Sequence, residues 1–301
     1  MKPGTQFIFA AFIIMVSFLV LFVVSILAAI PFVGFSEMLE SLSGANLTKP
    51  SAIALLKYFQ VIQSIGMFVL PPFIIAYLYD GNVVKYLKLD KVISLKIFLI
   101  GILAVIASGP FVAYLGEINE KLQLPGFLSG VEEWMRTMEE SAAAIIERFI
   151  QVETVWGLLF NIFMIAVIPA VGEELLFRGV IQKIFTNMTR NYHLGIWISA
   201  FLFSALHMQF FGFLPRMFLG AVFGYLLVYS GSIWLPILAH FLNNAVGVLA
   251  LHAEHQGNDT ISTFTDYADS FGTSTVAALL GLLVAVLLLL ILKKGSLKRI
   301  S

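Results

Sequence analysis

Gly172-Glu173-Glu174-Leu175-Leu176-Phe177-Arg178-Gly179 lies inside an apolar run that covers about residues 155–185. A run of about 20 apolar residues is the length a helix needs to cross a bilayer. Each charged side chain at bilayer depth costs on the order of 3 kcal/mol or more, so three ionisable residues there mark a functional site or an internal pair by default.

The sequence has 301 residues, is 59% hydrophobic and is only 12% charged. That charge fraction is about half the soluble level. Further apolar runs fall at about 7–32, 52–79, 97–115, 194–211, 217–229, 233–251 and 276–292. The expected fold is an all-α polytopic membrane protein with about eight transmembrane helices, since helices satisfy their own backbone groups in lipid. The run at 7–32 is long for a signal-peptide core and reads as an uncleaved anchor. Pro71-Pro72 should kink the second span, and Gly109-Pro110 should interrupt the third. Gly220 and Gly224 form a small-residue pair suited to close helix packing. Residues 1–153 read as an amino-terminal membrane region, 154–253 as the catalytic core and 254–301 as a last span with a basic tail.

Loop charges set the sidedness. The amino terminus, the 80–96 loop, the 183–193 loop and the carboxyl tail are basic; the loops near 37, 117–153 and 254–269 are acidic. Eight spans alternate these two sets along the whole chain, and the positive-inside rule then puts both termini in the cytoplasm. Residues 131–150 mix apolar and charged positions as an interfacial amphipathic helix does, either a lid or a solvated connector. Asn46-Leu47-Thr48 fits a glycosylation sequon. A net charge of zero and no basic cluster leave no nucleic-acid footprint, so the expected partners are the lipid bilayer and a substrate. With no cysteine there is no thiol nucleophile and no cysteine-type zinc site.

At about 1.5 Å rise per residue, Glu173, His207 and His240 fall at similar depth, about 14–18 Å from the basic loops, which places a site in the cytoplasmic half. Glu174 and Arg178, four apart, share a face and can pair. Glu173 points about 100° away and is left as the available carboxylate. His240 shares a face with Asn244, and His207 with Phe203. A lone membrane histidine is often only an interhelical hydrogen-bonding residue, but two at the depth of a glutamate suit hydrolysis. A carboxylate and an imidazole can deprotonate water, and a second imidazole and an amide can donate to an oxyanion. Alternatively, Glu173, His207 and His240 are a possible zinc set with one position left for water. No His-Glu-x-x-His sequence is present, and Ser199 and Ser204 lack a nucleophile-elbow context. His252 and His255 read as a solvated helix end, and His193 as a loop residue.

Glu173-Glu174-x-x-x-Arg178, Phe203-x-x-x-His207 and His240-x-x-x-Asn244 resemble, in order, the motifs of the CAAX prenyl protease and bacteriocin-processing family, the Rce1-like or Abi group. The resemblance covers about residues 155–250, including Trp234-Leu235-Pro236. It implies an eight-helix intramembrane endopeptidase in which Glu173 and His207 activate water. His240 and Asn244 would stabilise the oxyanion, with Glu174 and Arg178 in support. It also implies a peptide or protein substrate, lipidated or membrane-embedded. Zinc-dependent and metal-free mechanisms both stay open at this point. Two other readings stand beside it: a non-catalytic immunity or scaffold protein of the same fold, and a transporter using the buried Glu and His as a proton relay. A transporter would show inverted repeats, and the sequence shows none.

Overall fold

A computed structural model describes residues 1–42, 49–257 and 274–297, and these residues form helices and no strands. The Asn46-Leu47-Thr48 sequon, the loop residues Asp259, Asp266 and Asp269, and Lys298-Arg299 lie outside the described residues. In chain order the main helices are α1 (Pro3–Val33), α2 (Pro50–Asp80), α3 (Leu95–Glu120), α4 (Ser129–Ile150), α5 (Val155–Thr189), α6 (Tyr192–Leu206), α7 (Phe210–Ser230), α8 (Trp234–His255) and α9 (Thr275–Gly295). Among the described residues seven are long and apolar enough to cross a membrane; α4 and α6 are the exceptions. The chain is thus a polytopic helical membrane protein. The expected fifth span is the short α6, about 22 Å long at helical rise against a hydrocarbon core of about 30 Å.

Hydrogen bonds between connections sort them into the two sets that charge suggested. At the basic end, Trp234 Nε1 donates to the Leu89 carbonyl at 2.9 Å, and the Ser232 hydroxyl donates to the Lys91 carbonyl. His193 Nδ1, at the start of α6, lies 2.8 Å from the Tyr225 hydroxyl near the end of α7. At the acidic end, Asn119 Nδ2 donates to the Phe210 carbonyl at 2.8 Å, and its Oδ1 accepts from the Leu214 N–H at 2.7 Å. Gln256 Nε2 reaches the Val152 carbonyl at 3.4 Å. The α6–α7 turn therefore lies at the acidic end although α6 is short.

The prolines expected to kink α2 lie within a continuous helix, and the interruption expected in α3 is absent. Pro71 and Pro72 do not end α2; the helix widens to a π-turn over Ile65–Val69, just before them. Such a bulge re-registers the ladder ahead of prolines that cannot donate. Nor does Gly109-Pro110 interrupt α3, which runs on to Glu120. That region is where α9 docks: a Cβ on Gly281 would lie 2.5 Å from the Ala107 carbonyl oxygen and 3.4 Å from Pro110 Cγ. Gly281→Val is therefore expected to destabilise the fold by about 1–3 kcal/mol through overpacking. Thermal unfolding in detergent checks this against Gly295→Val, where an added Cβ meets nothing within 4 Å. Equal melting temperatures would refute it.

The expected amphipathic segment is α4, and it is pinned at both ends. Glu132 accepts from Arg136 at 2.9 Å and from the Leu124 N–H at 3.1 Å. The Arg136 hydrogen bond is the main reason its carboxyl sits below the usual carboxylate range. At the other end, the Phe149 carbonyl accepts from Lys57 Nζ at 3.0 Å and from Asn161 Nδ2 at 2.6 Å, and Lys57 also reaches Asn161 Oδ1 at 2.8 Å. A lysine and an asparagine in the bundle thus satisfy each other and the last turn of α4.

Candidate active site

The motif of α5 lies on irregular helix. Residues Glu174–Ile181 form a π-helical stretch, following an earlier one at Phe163–Val167. π-Bulges recur at functional sites because they re-aim side chains without breaking the helix. Gly172 sets the motif against α2: a Cβ there would lie 2.9 Å from Phe68 Cβ and 3.0 Å from the Phe68 backbone. Gly220 and Gly224 of α7 pack as a small-residue pair should, one against Arg178 and Phe203, the other against Gln182 and Ile196.

Glu174 and Arg178 form the expected pair, 2.8 Å apart, with side chains 0% and 1% exposed. Full burial makes this a pair that must be satisfied on both sides. Arg178 Nη2 also donates to the Gly220 carbonyl at 3.0 Å, and the guanidinium lies 4.5 Å from the Phe203 ring centre and 5.4 Å from that of Phe223. Glu174 Oε1 carries a second partner, His240 Nδ1, at 2.8 Å. The carboxylate can only accept here, so Nδ1 bears the proton and Nε2 points elsewhere. Nε2 lies 3.8 Å from Glu173 Oε2. His207 Nδ1 lies 2.7 Å from the Phe203 carbonyl, which again puts the proton on Nδ1 and leaves Nε2 available.

Glu173, His207, His240 and Asn244 all line one cavity of about 670 Å³. Glu173 is buried but has no hydrogen-bond donor on it among the described residues, unlike Glu174. The structure brings Glu173 within 4 Å of His240; no hydrogen bond or N···O ion pair within 4 Å joins it to His207, its expected partner. Asn244 Nδ2 is 3.3 Å from the Ile165 carbonyl, which uses one of its two donors. Ser199 and Ser204 donate to the Phe177 and Phe213 carbonyls and serve packing. His252 is half-buried rather than solvated, and its Nδ1 has no partner.

Depth is the expectation that shifts most. His240 is six positions from the basic end of α8, but Glu173 is sixteen from the end of α5 at Thr189, about 24 Å. His207 caps α6, fifteen positions from Tyr192, about 22 Å. The difference arises because α5 runs past Lys183 and α6 stops at His207. The cavity wall continues from these residues to Ala142, Ile145, Ile146 and Phe149, so the apolar face of α4 covers its far side.

Sequence reasoning passed over Arg216 and Gln209, which also line the cavity. Arg216 Nη2 donates to Gln209 Oε1 at 2.7 Å and Nη1 to the Gln209 carbonyl at 3.2 Å. Among the described residues no carboxylate oxygen lies within 4 Å of it, although Glu139 is near enough to accept from the Phe211 N–H at 3.4 Å. Arg216 follows Pro215 in the first turn of the regular α-helix of α7, where spacing alone carries no signal. A metal was the other open question. Among the described residues no three His, Asp or Glu groups stand together closely enough to hold an ion, so the donor set as folded does not fit zinc.

The geometry defines a polytopic helical membrane protein with a cavity into which α5, α6 and α8 bring Glu173, His207, His240 and Asn244. Residues 155–246, which include every one of those polar side chains, match the family model described as type II CAAX prenyl endopeptidase, Rce1-like. The chain is also similar to a curated protein of Bacillus subtilis (strain 168) named uncharacterized protein YpbD, 28% identical over 103 residues. That match covers 33% of this chain and 50% of the relative, so the chain spans about half the length of the curated relative it matches. No solved structure matches.

Proposed function

We propose that the chain is an intramembrane endopeptidase that hydrolyses a peptide bond with a water activated at Glu173. The observation that carries this is that Glu173 lines the shared cavity without a hydrogen-bond donor, while Oε1 of the neighbouring Glu174 is taken by both Arg178 and His240 and its Oε2 is buried without a partner. Glu173 takes a proton from water as its oxygen attacks the scissile carbonyl carbon. His240, held by the Glu174 carboxylate through Nδ1, turns Nε2 toward the oxyanion and stabilises it by a hydrogen bond when Nε2 bears a proton, which stays on the ring. Asn244 supplies its remaining amide hydrogen. Collapse of the tetrahedral intermediate breaks the C–N bond, and the proton on Glu173 passes to the leaving amine. His207, with Nε2 free, helps orient the water. Arg216 offers a cation to a substrate carboxylate. The substrate in this reading is a lipidated or membrane-embedded peptide, entering under α4.

The test is cleavage by purified protein of farnesylated CAAX peptides and unmodified peptides, as free acids and as carboxamides, with and without a zinc chelator. Wild type is expected to cleave at least one peptide, and His207→Ala to reduce kcat by about 10²-fold or more. The acid form should be favoured over the amide. Activity that disappears on chelation and returns with zinc would replace this mechanism by one in which Glu173, His207 and His240 rearrange to bind metal. Equal cleavage by His207→Ala and wild type would remove His207 from the site. Cleavage of no peptide, with Glu173→Ala retaining its effect in cells, would favour the non-catalytic immunity or scaffold reading.

A further inference from the structure

A second cavity, of about 250 Å³, lies at the basic end of the bundle, on the other side of Arg178 from the catalytic residues. Its wall includes Tyr86, Lys88, Gln182, Lys183, Thr186 and Tyr192, with Leu87, Leu227 and Val228 as apolar floor. Lys183 Nζ lies 3.4 Å from the Tyr86 ring centre and 3.5 Å from the Tyr86 carbonyl, which leaves ammonium donors over. Lys88 stands on left-handed backbone, at φ 56°, an uncommon conformation for a residue other than glycine. Burial holds its ammonium below the usual lysine range. Among the described residues neither lysine has a carboxylate oxygen within 4 Å. Asp80 ends α2 nearby and is exposed. Gln182 is 3% exposed, and its Oε1 has no hydrogen-bond partner.

Two lysines turned to a half-closed pocket whose lining holds no carboxylate call for an anion, the exposed Asp80 being the acid whose charge reaches Lys183. We infer that this pocket binds the head group of an anionic phospholipid, with the phosphate between Lys88 and Lys183. The position fits the source. Lys183 lies six residues before the end of α5, about 9 Å, which is the level of lipid head groups. Basic pockets between transmembrane helices bind such head groups. The site is separate from the catalytic cavity, and the inference stands whether or not the chain is a protease.

The experiment is thermal unfolding and native mass spectrometry of the delipidated protein in a neutral detergent. The additions are dioleoyl-phosphatidylglycerol, dioleoyl-phosphatidylcholine or glycerol 3-phosphate. Phosphatidylglycerol is expected to raise the melting temperature by about 3 °C and to remain bound as one copy, with neither effect from phosphatidylcholine. Lys88→Gln/Lys183→Gln should lose the effect. Lys85→Gln/Lys91→Gln, which removes the same charge from the 80–96 loop outside the pocket, should keep it. Equal shifts with both lipids overturn the inference without any variant being needed. So does loss of the effect in both double variants, which would make it general surface charge. A shift with glycerol 3-phosphate as large as with the lipid assigns the pocket to a free phosphate and overturns the lipid source.

Discussion

Glu173→Gln is expected to lower peptide cleavage by about 10³-fold and to leave the melting temperature within about 1 °C of wild type. Loss of a general base accounts for 10²–10⁴-fold. The fold should persist because the Glu173 carboxylate accepts no hydrogen bond from a protein donor, its nearest polar neighbour being His240 Nε2 at 3.8 Å. Glutamine keeps the volume and removes only the proton acceptor. Steady-state kinetics on the best peptide, beside a thermal melt, decides it. Full activity in Glu173→Gln would sink the assigned base, and an unfolded variant would show that Glu173 holds the bundle together.

Glu174→Ala should do the opposite at the adjacent position. It strips Arg178 and His240 of the oxygen they share, leaving a guanidinium in the bundle with the Gly220 carbonyl as its remaining hydrogen-bond acceptor. Breaking a buried pair from one side costs about 3–5 kcal/mol. The variant should melt far below wild type and lose activity along with structure. Glu174→Leu/Arg178→Met should recover part of the stability, since no lone charge remains. A melting temperature for Glu174→Ala equal to wild type would show that the pair is not under strain to stay formed.

The neighbours Glu173 and Glu174 show what was legible. Spacing alone paired Glu174 with Arg178, because four residues close one face in α-helical and π-helical geometry alike. It did not reveal that His240 would add to the same oxygen, since that contact spans 66 positions. Nor did it reveal Arg216, whose meaning depends on what fails to surround it. The interruption expected at Gly109-Pro110 failed for a related reason. Proline removes a donor, but a bulge upstream or a neighbouring helix decides whether the helix ends there.

Composition, run length and loop charge by themselves determined an all-helical membrane protein with two kinds of end. Bilayer thickness and the cost of unpaired backbone act on every residue locally. They also flagged Glu173, His207, His240 and Asn244, because polar groups in apolar helices stand out against that background. Only the tertiary structure decided which histidine stands beside that carboxylate, where α6 stops and how deep the residues lie. It alone showed that α4 walls the cavity and that two lysines face a second pocket. These depend on distances between helices, and close packing of side chains remote in sequence sets them.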